Sequence, residues 1–301
     1  MTPYSSYLRD DSFAIFLFHG VVRQHHHPLR NYTRKHLALD KFVEIVCDLR
    51  SHGEPISMDD VVAANARGRV LPKRAFVVTF DDGFENNYLI AAPVLREFNV
   101  PAMFYITTGF IESNSLSWID MIEYAVEKME RVEVTLPFTN KRAVCQTLEE
   151  KMHLLDQIRQ FVKSNLTIDP YEFAYDVCHQ CGVETIVPDP ELDQKMRPEQ
   201  LRALYDSPLF VVGGHSHTHR IMSYLPLLEL QIEVETSMRK LREWVGQPLT
   251  HYSYPEGLAH CYSDQVIAEL RKNGIVCSPT AEYGVNKVGD DLFRLKRIMV
   301  V

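Results

Sequence analysis

With 301 residues, 46% of them hydrophobic, the chain is long enough to bury a substantial core as one large α/β domain or as one domain carrying an insertion. A formal charge of −8 and the lack of a basic stripe argue against a nucleic-acid partner. Met1 to Asp11 carries neither a basic leader nor a long apolar run, so no secretory signal is expected and a cytoplasmic protein is.

The first apolar run, Phe13–Phe18, reads as a strand and ends at Leu17-Phe18-His19-Gly20. Continued to Val22 it is broken by His19 and Gly20 and is too short to span a bilayer, so no transmembrane segment is expected. His25-His26-His27 follows; three adjacent imidazoles cannot all face one ion, and a solvated loop is the favoured reading, with a secondary role at the mouth of a site as the alternative. Phe42, Ile45, Val46 and Leu49 make a helical stripe closed by Gly53. Ala75–Phe80 is a second strand and runs into Thr79-Phe80-Asp81-Asp82-Gly83. Leu89, Val94, Leu95 and Phe98 predict a helix before Pro101, and Ala102–Ile106 a third strand.

From about Glu112 to Asp206 this alternation stops. Trp118, Ile122, Ala125 and Met129, then Leu148, Met152, Leu155, Ile158 and Phe161, predict a helical insertion at 112–206 that either caps a site or only adds packing. Within it, Cys178-His179-Gln180-Cys181 has the spacing of a metal or redox pair but lacks the second pair a structural zinc normally takes. All six cysteines fit reduced thiols in a cytoplasmic compartment. The rhythm then resumes. Leu209–Val212 leads through Gly213 and Gly214 into His215-Ser216-His217-Thr218-His219; Leu228, Ile232, Met238, Leu241 and Val245 stripe a helix closed by Gly246; His251–Tyr254, Ile275–Cys277 and Leu292–Val301 complete the strands. Strands alternating with helices imply a parallel sheet, open or closed into a barrel, whose carboxyl ends carry the ligand site.

The chemistry sits at those ends. Asp81 and Asp82 would repel in one pocket unless a cation holds one of them, which divides them into Asp82 on a metal and Asp81 free as general base. Asp-Asp-Gly also makes an ordinary turn or helix cap. His215 and His219, four apart, can share one face, with His217 pointing away, although such pairs also occur on solvated surfaces. Asp82, His215 and His219 would give three ligands and an open position, the pattern of a catalytic rather than a structural site.

In this order, Thr79-Phe80-Asp81-Asp82-Gly83 and His215-Ser216-His217-Thr218-His219 resemble the motifs of the NodB-type polysaccharide deacetylases, carbohydrate esterase family 4. The resemblance implies an α/β fold, a distorted (β/α) barrel that is commonly seven-stranded, as a single domain over 1–301. It also implies a metal-dependent hydrolase that removes an N-acyl group from an amino sugar. The family's Leu-x-His motif, whose histidine is the general acid, stands near the C-terminus of most members but comes first in a circularly permuted branch of bacterial exopolysaccharide deacetylases. Leu17-Phe18-His19 makes this chain similar to that branch and assigns the acid to His19. Tyr252-Ser253-Tyr254-Pro255-Glu256-Gly257 resembles the third motif, which assigns Tyr254, Pro255 and Gly257 to the wall of the substrate groove. It lacks the motif's arginine, which orients the base, and has Glu256 where many relatives have an aromatic residue. Arg297 in the last strand is the candidate replacement, with a plain structural arginine as the alternative. No Asp-Ser/Thr-Trp motif is found, so the group that tunes His19 is unidentified.

The implied cofactor is a divalent metal, zinc by ligand type, with cobalt, nickel, manganese or iron also suited to the set. The implied substrate is an N-acetylated, or alternatively N-formylated, amino sugar, nucleotide-linked, lipid-linked or in a glycan, used in bacterial surface-polysaccharide biosynthesis such as that of lipopolysaccharide. The alternatives are a metal amidohydrolase acting on a non-sugar amide and a non-catalytic carbohydrate-binding relative.

Overall fold

Five of the predicted apolar runs form one parallel sheet in the computed structural model, which describes residues 3–24, 26–138, 142–165 and 167–301. The strand order is Ile298–Met299, Ala14–Phe18, Ala75–Phe80, Ala102–Ile106 and Phe210–Gly214, every neighbouring pair parallel. A short strand, Glu54–Pro55, pairs with the start of Ala75–Phe80. Alternate residues leave the sheet on opposite faces: Phe16, Val78, Phe80, Phe104 and Val212 enter one apolar cluster, while Ile15, Val77, Met103 and Tyr105 enter another. Burial on both faces explains why the runs read as continuous rather than alternating.

The other two predicted runs do not become strands. Beyond Gly214 the sheet continues as isolated bridges, Gly214 to Tyr252 and His251 to Cys277, and then as loop hydrogen bonds from Ser278 N–H to the Leu292 carbonyl (2.9 Å) and from Thr280 N–H to the Leu295 carbonyl (2.8 Å). Among the described residues the regular strands stop at Gly214, and these bridges and loop bonds keep the predicted runs in order beyond it.

This sheet belongs to the first of two compact units, which comprises Met1–Gln24, Lys35–Ser115 and Glu191–Val301. Helix Leu39–His52 buries Phe42, Ile45, Val46 and Leu49 as its stripe requires. Two other stripes are offset from expectation. Leu89 is exposed because Asn87–Ala91 is a π-turn, whose extra residue turns Ile90 and Ala91 inward instead. In helix Leu227–Val245 the buried face is Leu230, Val234, Met238, Leu241 and Val245, and Leu228 and Ile232 face outward.

The second unit, His25–Arg34 with Leu116–Pro190, has its own core. The stretch expected as a helical insertion at 112–206 supplies its helices Trp118–Lys128, Leu148–Ser164 and Pro170–Gln180, and also an antiparallel hairpin, Val132–Thr135 with Arg142–Cys145. Residues 191–206, including helix Pro198–Tyr205, pack instead in the first unit. Cys178 and Cys181 are buried in the second core, and burial pushes the Cys181 thiol up to about 11, the behaviour of packing residues. Of the histidine triplet, His25 lies outside the described residues. His27 is not simply solvated: its ring lies 2.7 Å from Glu127 and 3.3 Å from Asp189. Among the described residues, no helix is long and apolar enough to cross a membrane.

Candidate active site

Three strand ends converge on the site: Phe18 gives way to His19, Phe80 to Asp81, and Gly214 to His215. The Asp81 N–H donates to the Phe18 carbonyl (3.1 Å) and the His215 N–H to the Ile106 carbonyl (2.9 Å), so both loops begin as continuations of the sheet. Asp82 then adopts a left-handed φ of 77°, and Gly83 follows at 90°. This reversal is what brings two consecutive carboxylates into one pocket. Ser216 and His219 are also left-handed, at 65° and 59°. Each such residue costs about 1 kcal/mol or more and persists only where its surroundings hold it. Here the holding groups are the buried carboxylate of Glu233, which accepts from the N–H groups of His217 and Thr218, and Ser216 Oγ, which accepts from His219 N–H at 2.9 Å. His217 is turned aside, its Nδ1 2.9 Å from Thr108 Oγ1.

Asp82 Oδ1 lies 3.2 Å from His219 Nε2 and 3.6 Å from His215 Nε2, and the three ligand atoms all fall within 4.8 Å of one another. His215 Nδ1 is 2.9 Å from the Ser253 carbonyl. Only an N–H can satisfy that acceptor, so the proton sits on Nδ1 and the Nε2 lone pair faces Asp82. Apart from the 3.2 Å approach of His219 Nε2, Asp82 Oδ1 is buried without a well-formed hydrogen bond among the described residues. Such a carboxylate oxygen beside two imidazole nitrogens fits a divalent cation. His219 is seated by stacking on Phe110, ring centroids 5.5 Å apart. Burial pushes His215 down to about 4. Burial alone would raise Asp82 and lower His219, but their mutual contact wins, holding Asp82 well below the usual carboxylate range and raising His219.

Asp81 faces a different partner. Arg297 donates to it through both terminal nitrogens, Nη1 to Oδ1 and Nη2 to Oδ2, each at 2.8 Å. The remaining guanidinium hydrogens go to the Thr280 carbonyl (2.6 Å), Ser253 Oγ (2.9 Å) and Thr79 Oγ1 (3.4 Å), so all five donors have acceptors. Burial would raise the Asp81 pKa, but the Arg297 charge overrides it and keeps the carboxyl below its usual range.

His19 is half-buried, its buried Nδ1 lacks a hydrogen-bond partner among the described residues, and its carbonyl accepts from Asn87 Nδ2 at 2.7 Å. Burial lowers its pKa, and the charges of Asp82 and Asp81 only partly oppose this.

In the third motif, Tyr254 is wholly buried, donates its hydroxyl to the Phe293 carbonyl (3.0 Å) and stacks on Tyr262 (4.7 Å), so its side chain packs in the core. Pro255 is buried, and Gly257, at φ 63°, passes so close to Ala281 that an added Cβ would lie 2.6 Å from that residue's nitrogen. Glu256, φ 61°, is half-buried between them. Sequence reasoning missed Ser253, Glu233, Phe110 and Asn87. Of these, Ser253 carries a signal, since it lies inside a motif at a predicted strand end.

Residues 68–278 match the family model for polysaccharide deacetylase, which takes in Asp81, Asp82, His215, His219 and Ser253 but neither His19 nor Arg297. The poly-β-1,6-N-acetyl-D-glucosamine N-deacetylase of Escherichia coli K12 is 39% identical over 73 residues, 24% of this chain and 10% of that relative, so the chain matches only a small part of its length. Streptococcus pyogenes deacetylase PplD, solved with acetate, superposes with a TM-score of 0.63 at 14% identity, over 96% of this chain and 92% of its own. IcaB from Ammonifex degensii gives 0.62 at 17% identity, over 98% and 94%, and the BpsB deacetylase domain from Bordetella bronchiseptica 0.58 at 18%, over 97% of each. At these identities the structural likeness carries the fold, and the family model, spanning more than half of the chain, carries the membership. The chain belongs to the polysaccharide deacetylase family, the NodB-type enzymes of carbohydrate esterase family 4.

Proposed function

We propose that the chain is a metal-dependent hydrolase that removes the N-acetyl group from an amino sugar of a bacterial surface glycan or of its nucleotide-linked or lipid-linked precursor. The observation that carries this reading is Asp81, gripped by Arg297 on one side and adjoining the Asp82, His215 and His219 cluster on the other. A divalent cation held by Asp82, His215 and His219, with zinc the best match to two imidazoles and a carboxylate, supplies Lewis acidity toward water and the amide carbonyl when bound.

Asp81 is the general base. It takes a proton from water as the new C–O bond forms at the amide carbon. Arg297 keeps that carboxylate ionised and aimed, in place of the arginine absent from the third motif. His19 is the general acid and gives a proton to the amide nitrogen as the C–N bond breaks, leaving acetate and a free amine. The acid motif then precedes the base motif, as in the permuted branch. The name of the Escherichia coli relative supports N-acetylglucosamine as the sugar unit.

The test is acetate and formate release by the zinc-loaded full chain from β-1,6-linked N-acetylglucosamine oligomers and from nucleotide-linked and lipid-linked N-acetylglucosamine. Acetate release is expected, falling about 10²- to 10⁴-fold in Asp81→Asn while bound zinc is retained. Undiminished release by that variant sinks the base assignment. No release from any substrate, with zinc bound, sinks the deacetylase reading.

A further inference from the structure

We infer that Ser253 is a positioning residue that ties the catalytic base to the metal-ligand cluster, holding Arg297 through its hydroxyl and His215 through its carbonyl. The inference rests on the deacetylase reading and deepens it by naming what fixes the two halves of the site relative to each other.

Ser253 Oγ accepts from Arg297 Nη2 at 2.9 Å, and the other Nη2 hydrogen goes to Asp81 Oδ2 at 2.8 Å. The Ser253 carbonyl lies 2.9 Å from His215 Nδ1, and its N–H donates to the Gly214 carbonyl at 2.8 Å. One wholly buried residue therefore stands a single contact away from both the base's partner and a metal ligand. The sequence prepares this approach with two glycines. A Cβ on Gly213 would lie 2.7 Å from the His251 carbonyl oxygen, and one on Gly214 2.4 Å from the Tyr252 ring. Only bare backbone at 213 and 214 lets residues 251–253 lie close enough for Ser253 to reach His215.

The two contacts differ chemically, so substitution separates them. Ser253→Ala deletes the hydroxyl and leaves the carbonyl on His215. It also leaves one buried guanidinium hydrogen without an acceptor, so Arg297 loses one of the contacts that hold Nη2 beside Asp81. Groups one contact removed from the reacting atoms act by orientation, and their loss lowers turnover rather than substrate binding.

The experiment compares full-chain wild type, Ser253→Ala and Ser253→Thr on β-1,6-linked N-acetylglucosamine oligomers, with zinc affinity measured by chelator competition. For Ser253→Ala, kcat is expected to fall about tenfold, with KM and zinc affinity each held within about twofold. Ser253→Thr, which returns the hydroxyl, is expected to recover to within about threefold of wild type. A stability cycle of Ser253→Ala against Arg297→Lys, read as urea midpoints, reports the contact without substrate, and non-additive shifts are expected. Wild-type kcat in Ser253→Ala overturns the inference, as does a fall in kcat matched by an equal loss of zinc affinity, or an additive cycle. Absence of acetate release by wild type from these oligomers and from the nucleotide-linked and lipid-linked sugars overturns the deacetylase reading and this inference with it, whereas equal release by wild type and Ser253→Ala overturns this inference alone.

Discussion

Arg297 and Asp81, 216 residues apart in the chain, meet through two parallel 2.8 Å hydrogen bonds in a site where both side chains are almost wholly buried. A buried carboxylate would ordinarily take up a proton, and the guanidinium is what keeps this one ionised. The sign of the linkage follows. With Arg297 in place, the acid limb of kcat/KM that belongs to Asp81 lies below the ordinary carboxylate value. In Arg297→Met the largest charge opposing burial is gone and only His215 and His19 still oppose it, so that limb moves to higher pH and the plateau falls by about 10²-fold as the base loses its orientation. A pH–rate profile whose acid limb stays where it was would show that Arg297 does not set the ionisation of Asp81.

Asp82 Oδ1, buried beside His215 and His219 and without a well-formed hydrogen bond among the described residues, predicts a site that needs its cation. Chelation is expected to abolish acetate release, and zinc to restore it. His219→Ala is expected to lose about 10-fold or more in zinc affinity, because one of three ligands is gone. Metal content per chain, measured on wild type and on this variant, checks the first claim without any substrate. Stoichiometric, unweakened zinc in His219→Ala would place the metal elsewhere.

The residues legible in the sequence are those whose chemistry is concentrated in a few consecutive positions. Asp81 with Asp82, and His215 with His219, each stand at the end of an apolar run, and strand ends are where a parallel sheet presents ligands. Arg297 was legible as the candidate base-orienting residue only through the family resemblance, because a contact spanning 216 residues leaves no local trace. Ser253 was harder still, since half of its contact is made by a backbone carbonyl that any residue possesses. The inward packing of the Tyr254 side chain was not legible, because the motif gives the residue type and the pleat decides which face it takes; here it faces Phe293 and Tyr262. The sheet was legible from its doubly buried runs. The outward turn of Leu89 was not, because a π-turn changes the helical phase without any marker residue.

The close approach at Gly214 makes a stability prediction. Its Cβ in Gly214→Ala would sit 2.4 and 2.5 Å from two carbons of the Tyr252 ring, which is itself wholly buried and has nowhere to move. Destabilisation of about 1–3 kcal/mol is expected in urea unfolding. Zinc affinity should fall too, since His215 is the next residue. A loss below about 0.5 kcal/mol would mean that the strand end relaxes without strain.

In the second unit, Glu127 predicts a pH-dependent tether. Its carboxylate accepts from the N–H groups of Leu29 (2.9 Å) and Arg30 (2.8 Å), and His27 Nδ1 lies 2.7 Å away, so one side chain of helix Trp118–Lys128 holds the start of a distant segment. Burial would raise the Glu127 pKa, but these donors overcome it and the pKa is lowered from 4.5. A carboxyl whose folded pKa lies below its unfolded value adds stability that is fully present above the unfolded value and is lost as pH falls through the folded one. Protection of the Leu29 and Arg30 amides against hydrogen exchange should therefore weaken in wild type only on the acid side of 4.5. In Glu127→Gln the neutral amide is a poorer acceptor, and protection at pH 7 should drop by roughly tenfold. The gap between the two proteins should then close on acidification, as wild type loses the charge that the variant never had. A gap of constant size from pH 7 to acid would assign the tether to shape rather than to the carboxylate charge.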